Sequence, residues 1–241
     1  QSATDPAALG ARIDEVGATV VICEADMCQG EVLDRPLLAI GSTRGDPTNV
    51  DVPAATARRI PVLHAPGRNA DGVAEMALAL LFAVTRHVLP SDRDVRACDV
   101  FRDGTIPYQR YRAWQLAGRT VGIVGLGAVG RAAAWRFAGL GMEVISADPF
   151  NPDATHSLDD LLGAADVVSM HAAVTPDTLA MMDAERFRSM REGAIYLNTA
   201  RAGLHDLDAL VAALESGHLG GAGLDHFDGE QLPGGHPLLD R

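Results

Sequence analysis

The run Thr120-Val121-Gly122-Ile123-Val124-Gly125-Leu126-Gly127-Ala128-Val129-Gly130 narrows the fold of this chain more than any other feature. A β-branched stretch enters a turn with G-x-G-x-x-G spacing, and an apolar stretch from Arg131 to Leu140 leaves it. Strand, glycine turn and helix in that order open a βαβ unit. Each glycine has its own task. Gly125 permits the tight turn, Gly127 lets the backbone approach a pyrophosphate, and Gly130 lets the helix lie close to the strand. Ala128 and Val129 open the helix, whose unpaired N–H groups and positive dipole end suit phosphates. Asp148 ends the next strand, roughly 20 residues on, where a carboxylate accepts from both ribose hydroxyls or, more plainly, caps a loop. A carboxylate there repels a 2'-phosphate, and Pro149-Phe150-Asn151 offers no arginine to bind one, so NAD is expected rather than NADP.

The same alternation runs through the rest of the chain. Beyond Arg119, short strands are expected at 120–124, 143–147, 167–170, 194–197 and 221–224, with amphipathic stretches between them, the pattern of parallel strands joined by crossover helices. Ser157 with Asp160 opens one helix in capping-box fashion, and Asp206 caps another that Gly217 ends. Before residue 90, strands are expected at 19–23, 37–42 and 62–65, followed by a long helix over 71–87. The polar, aperiodic segment 90–116 reads as a link. With 47% apolar and only 5% aromatic residues, the composition suits Ala/Val/Leu-rich sheets covered by helices. The expected fold is α/β, two Rossmann-like domains with doubly wound parallel sheets. Residues 1–90 form a smaller, flavodoxin-like substrate domain and residues 91–241 the NAD-binding domain.

Several function classes are disfavoured. A net charge of −12 with no Lys/Arg block argues against nucleic acid and anionic membranes as partners. The most apolar stretch, Met76 to Val84, is bracketed by Glu75 and Arg86 and falls short of the roughly 18 residues a span requires. It reads as a buried helix. Cys23, Cys28 and Cys98 lack C-x-x-C spacing, so no metal site is expected, and reduced structural thiols point to a cytoplasmic setting. Gln1 is not an initiator methionine and Arg241 ends the chain abruptly, so both ends are expected to have been cut.

Asn49-Val50-Asp51, Pro66-Gly67-Arg68-Asn69-Ala70-Asp71, the glycine turn, Asn198-Thr199-Ala200-Arg201, Gly223-Leu224-Asp225 and His236-Pro237-Leu238 together resemble the D-isomer-specific 2-hydroxyacid dehydrogenase family over most of the chain. The resemblance implies hydride transfer between nicotinamide and C2 of a D-2-hydroxy or 2-oxo acid. It assigns Arg201 as the catalytic arginine, whose guanidinium fork engages the substrate carboxylate and carbonyl. Without the surrounding motif, Arg201 would read as a surface ion pair. Thr199 and Asp225 are implied cofactor contacts, Asp225 at the carboxamide. Glu230, five residues on, is implied to raise the pKa of a histidine that serves as general acid. Asp225 and Glu230 otherwise read as part of a solvated acidic loop. The family places that histidine in a Pro-His segment beyond Arg241, and His236 reads as structural. Arg44, Gly45 and Asn69 are the candidate substrate-binding residues, although Arg44-Gly45-Asp46-Pro47 departs from the family's glycine-rich loop. Arg44 suits either an anionic substrate group or an ion pair with Asp46. Two further departures are Ala202 for the glycine after the catalytic arginine and Ala173 for a proline. A homodimer is expected. A catalytically silent NAD(H) sensor or scaffold of the same fold is the alternative reading.

Overall fold

The computed structural model describes residues 5–240, the side chains of Glu230 and Asp240 excepted. The chain divides into two compact units, Gln1–Asn69 and Ala70–Arg241.

In the first unit, α1 (Pro6–Val16) leads into β1 (Val20–Cys23), then β2 (Ala39–Ser42), α2 (Val52–Ala57) and β3 (Val62–Leu63). Proline in the first turn and an aspartate cap start both helices: Asp5 accepts from the Ala7 N–H and Asp51 from the Ala54 N–H. Gly17, at φ +62°, ends α1 in the left-handed conformation that glycine adopts without strain. The three strands form a parallel sheet in the order β1-β2-β3. Alternation sends Val21, Cys23 and Ile40 into a core with Ile13, Val32, Leu33 and Leu37, while Ile22 and Leu63 remain 74% and 60% exposed. Val20, also in β1, is 50% exposed as well.

The second unit opens with α3 (Ala70–Thr85), α4 (Val88–Arg96) and α5 (Pro107–Arg110). It continues as β4 (Thr120–Val124), α6 (Ala128–Gly139), β5 (Glu143–Ala147), α7 (Leu158–Ala164), β6 (Val167–Met170), α8 (Ala184–Ser189), β7 (Ile195–Asn198), α9 (Leu207–Glu215) and β8 (Gly221–Leu224). The sheet is five-stranded and parallel, ordered β5-β4-β6-β7-β8. The order reverses around β4, the switch point at which doubly wound sheets bind ligands beyond their carboxyl ends. β6 and β7 are buried at every position, as central strands covered on both faces must be. Ser157 and Asp206 cap α7 and α9 as their spacing implies, accepting from the Asp160 and Ala209 N–H groups.

Two features differ from the sequence expectation. The helix expected at the end of the first domain packs in the second unit, so the units divide at Asn69/Ala70 rather than near residue 90. The reason lies in β8. A Cβ at Gly221 would stand 2.5 Å from Val84, and one at Gly223 would stand 2.8 Å from Leu80, so these glycines let α3 lie directly on the strand. Ala74, Ala77 and Leu81 of α3 are fully buried. The segment 90–116 is also not a plain link. His87, at φ +52°, breaks α3 from α4, and the helix that follows is anchored by a charge. Asp94 is 2% exposed and receives Arg102 Nη1 at 2.8 Å and the Tyr111 hydroxyl at 2.5 Å. The apolar residues of this helix, Val88, Leu89 and Val95, are exposed, so apolar periodicity does not mark its inward side. No single helix among the described residues is long and apolar enough to cross a membrane.

Candidate functional site

The carboxyl ends of β4 to β8 carry the residues of interest. After β4 the chain turns at Gly125, whose φ is +91°. A Cβ there would come within 2.6 Å of the Ala172 N, so the turn needs glycine both for conformation and for room. Gly130 is tighter still. Its Cβ would lie 2.0 Å from the Gly125 carbonyl oxygen, and its absence is what lets α6 start against the strand end. Gly127 is different: nothing stands within 4 Å of where its Cβ would be. It is also the N-cap of α6 and gives no side-chain hydrogen bond to the first turn. Ala128 is exposed and Val129 half-buried, so the uncapped N–H groups of this turn open onto free space, a cradle suited to a pyrophosphate.

Asp148, just after β5, closes this loop. One carboxylate oxygen accepts from the Leu126 N–H at 2.8 Å and the other from the Phe150 N–H at 2.9 Å. The Asn151 amide donates to the Leu126 carbonyl at 2.9 Å. Asp148 therefore does cap a loop, and the loop it caps is the glycine turn.

After β6 comes His171, whose main chain lies across Gly125 and whose N–H donates to Val124 O at 2.7 Å. Its Nε2 meets Ser169 Oγ at 2.9 Å, while Nδ1 is covered and has no partner among the described residues. Burial pushes this ring down to about 4, leaving it neutral. Nothing in the sequence pattern singled it out, although its place after a buried strand was legible.

β7 ends at Asn198, which organises the corner after it. The Asn198 side chain accepts from the Ala200 N–H and donates to Arg201 O, both at 2.9 Å, and its main-chain oxygen accepts from the Asp225 N–H at 3.1 Å. Thr199, 3% exposed, buries an Oγ1 that has no partner among the described residues. An unclaimed hydroxyl at a strand end fits a polar ligand atom and is otherwise costly. The Arg201 side chain is exposed, with Nη1 donating to Ala200 O at 2.6 Å. No acidic partner meets it among the described residues. Ala202 opens a 3-10 turn at negative φ, so the residue that replaces the family's glycine brings no strain. Asp225 follows β8, its carboxylate 3.8 Å from His226 Nε2. The side chain of Glu230 lies outside the described residues.

The first unit holds the other candidates. Arg44 neither pairs with Asp46 nor points free. Its Nε donates to Glu24 O at 2.5 Å and its Nη1 to Thr48 Oγ1 at 3.2 Å, which ties the loop after β2 both to itself and to the start of the segment after β1. The loop's carbonyls are engaged, Arg44 O by the Ala65 N–H and Gly45 O by His64 Nδ1. The N–H groups of Gly45 and Asp46 have no partner among the described residues. Asn69 is exposed at the end of this unit.

Comparison with known proteins agrees with this architecture. Residues 78–241 match the family model described as D-isomer specific 2-hydroxyacid dehydrogenase, NAD binding domain. Glycerate dehydrogenase of Methylorubrum extorquens is 38% identical over 207 residues, 86% of this chain and 65% of that protein. D-3-phosphoglycerate dehydrogenase of Mycobacterium leprae is 41% identical over 187 residues, 74% of this chain and 34% of that protein. This chain thus spans about two thirds of the first relative's length and one third of the second's. The crystal structure of the TT0316 protein from Thermus thermophilus superposes with a TM-score of 0.85 at 40% identity, over 98% of this chain and 76% of that one. The glycine turn, its aspartate clasp and the five-stranded sheet belong to an NAD-binding domain, and the chain is a member of the D-isomer-specific 2-hydroxyacid dehydrogenase family.

Proposed function

We propose that this chain is the cofactor-binding part, with much of the substrate unit, of a dehydrogenase that interconverts a D-2-hydroxy acid and its 2-oxo acid. The observation that carries the reading is the Arg201 turn. Asn198 ties its backbone to the end of β7, in the same parallel sheet that bears the glycine turn and Asp225.

Gly125, Gly127, Ala128, Val129 and Gly130 would hold the pyrophosphate, Asp148 the ribose, and Thr199 and Asp225 the nicotinamide half. Bound NADH would supply the hydride. The Arg201 guanidinium offers parallel N–H donors to the substrate carboxylate and polarises the carbonyl oxygen as negative charge develops there. Glu230 would partner a histidine that protonates this oxygen. In the first unit, the unpartnered N–H groups of Gly45 and Asp46 support assigning Gly45 to carboxylate binding. Arg44 would keep that loop in shape, and Asn69 remains a candidate contact.

The test is NADH consumption by the full-length protein with a panel of 2-oxo acids including glyoxylate and hydroxypyruvate. Turnover that falls by roughly a hundredfold or more in Arg201→Ala supports the reading. Tight NADH binding with no turnover on any acid overturns it in favour of a silent NAD(H) sensor.

A further inference from the structure

The corner after β7 is held by a residue outside the assignments above. Asn198 is 1% exposed, and its amide orientation is fixed by chemistry: Oδ1 faces the Ala200 N–H, and Nδ2 faces the Arg201 carbonyl oxygen. A flipped amide would set oxygen against oxygen and N–H against N–H. With the amide so placed, its remaining N–H points at His205 Nδ1, 2.9 Å away. A donor that close requires Nδ1 to be an acceptor, so the ring is neutral and carries its proton on Nε2.

The ring is itself well held. His205 is 7% exposed, and its ring meets Tyr196 edge to face at 5.6 Å, which in turn meets Phe187 at 5.1 Å. The Tyr196 hydroxyl approaches the same Nδ1 at 3.4 Å. On either side, the backbone donates from the His205 N–H to Ala202 O and from the Asp206 N–H to Met182 O. Two charged groups face the ring: Asp206 at the N-cap of α9 and Asp228 in the loop after β8. Both favour a protonated ring, and burial outweighs them.

We propose that His205 is a positioning residue for the Arg201 turn, its Nδ1 locking the Asn198 amide in the orientation that ties both Ala200 and Arg201 to the end of β7. The consequence for substrate rests on the dehydrogenase reading, in which Arg201 engages a carboxylate. The lock itself does not.

Three proteins separate a lock from a mere core filler: the native chain, His205→Leu, which fills space without an acceptor, and His205→Asn, whose Oδ1 takes the place of Nδ1. Nitrogen NMR of the native imidazole should show Nδ1 unprotonated and Nε2 protonated. The Ala200 amide should exchange with solvent about tenfold faster in His205→Leu and return to near the native rate in His205→Asn, the size expected for one lost hydrogen bond. Oxalate, an unreactive carboxylate probe, should bind the native NADH complex and lose about tenfold affinity in His205→Leu with NADH binding unchanged. Native oxalate affinity should also fall as the pH drops below the ordinary histidine range, with no such step in His205→Asn. A ring protonated on Nδ1, or Ala200 exchange unchanged in His205→Leu, overturns the proposal. If exchange responds as stated but the native complex binds no oxalate, the lock stands and the dehydrogenase reading fails.

Discussion

The Asp148 carboxylate accepts a hydrogen bond from the Leu126 N–H at 2.8 Å, so the residue after β5 is stitched to the middle of the glycine turn. The same group thus has two tasks: shaping the loop and presenting negative charge where a ribose would lie. Asp148→Asn removes the charge together with one of the two backbone hydrogen bonds, and since a loosened loop weakens both cofactors alike, the preference between them isolates the charge. We expect NADH binding to weaken and the NADPH-to-NADH preference to rise by about tenfold, or about 1.4 kcal/mol, in fluorescence titrations. An unchanged preference would mean that Asp148 acts only on the loop.

Gly127 and Gly130 differ by three positions and should differ in kind when changed. Gly130→Ala drives a methyl to within 2.0 Å of the Gly125 carbonyl oxygen, a backbone atom with nowhere to go. We expect a loss of at least about 1–3 kcal/mol in denaturant unfolding. Gly127→Ala meets nothing within 4 Å, so its stability should fall by no more than about 1 kcal/mol, the cost of alanine at an N-cap, while NADH affinity drops. Equal NADH affinity in Gly127→Ala would argue that this open space is not where the cofactor lies.

What the sequence disclosed followed from periodicity and turn chemistry. The second unit's strands, the glycine turn and the caps at Ser157 and Asp206 each leave a local mark, because one residue type has to occupy one place. The boundary between units left none. Whether α3 belongs with β3 before it or β8 far beyond it depends on Gly221 and Gly223, which only a tertiary contact connects to Leu80 and Val84. Helix α4 was missed because its inward group is the charged Asp94. Within the site, Asp148 and Arg201 were visible by motif. His205 was not, since a histidine among Leu204 and Leu207 signals its acceptor role only once Asn198 is seen to face it.

Asp94 should be among the most sensitive positions in the second unit. Its carboxylate meets Arg102 at 2.8 Å and Arg110 at 3.5 Å and accepts from the Tyr111 hydroxyl, with a side chain only 3% exposed. Asp94→Ala leaves Arg110, 17% exposed, without its counter-charge. The expected cost is about 3 kcal/mol, the low end for breaking a buried pair because Arg102 still reaches water. Urea denaturation of the variant checks this, and a change within about 0.5 kcal/mol, the range of ordinary surface substitutions, would count against a buried ionic anchor.

His171 should impose an acid limit on stability. Its ordinary value is 6.5 and burial lowers it to about 4 in the folded chain. Between those values the unfolded chain binds a proton that the folded chain refuses, so stability falls as the pH drops from 6.5 towards 4 and levels off below. Each tenfold difference in proton affinity between the two states is worth about 1.4 kcal/mol, so the full loss is about 3 kcal/mol. His171→Gln keeps a polar group opposite Ser169 and cannot take up that proton. Comparing the two proteins across this range cancels the carboxylates they share, and the native chain should lose about 3 kcal/mol more than the variant. Parallel curves would mean that the ring reaches water and titrates in the folded state as freely as in the unfolded one.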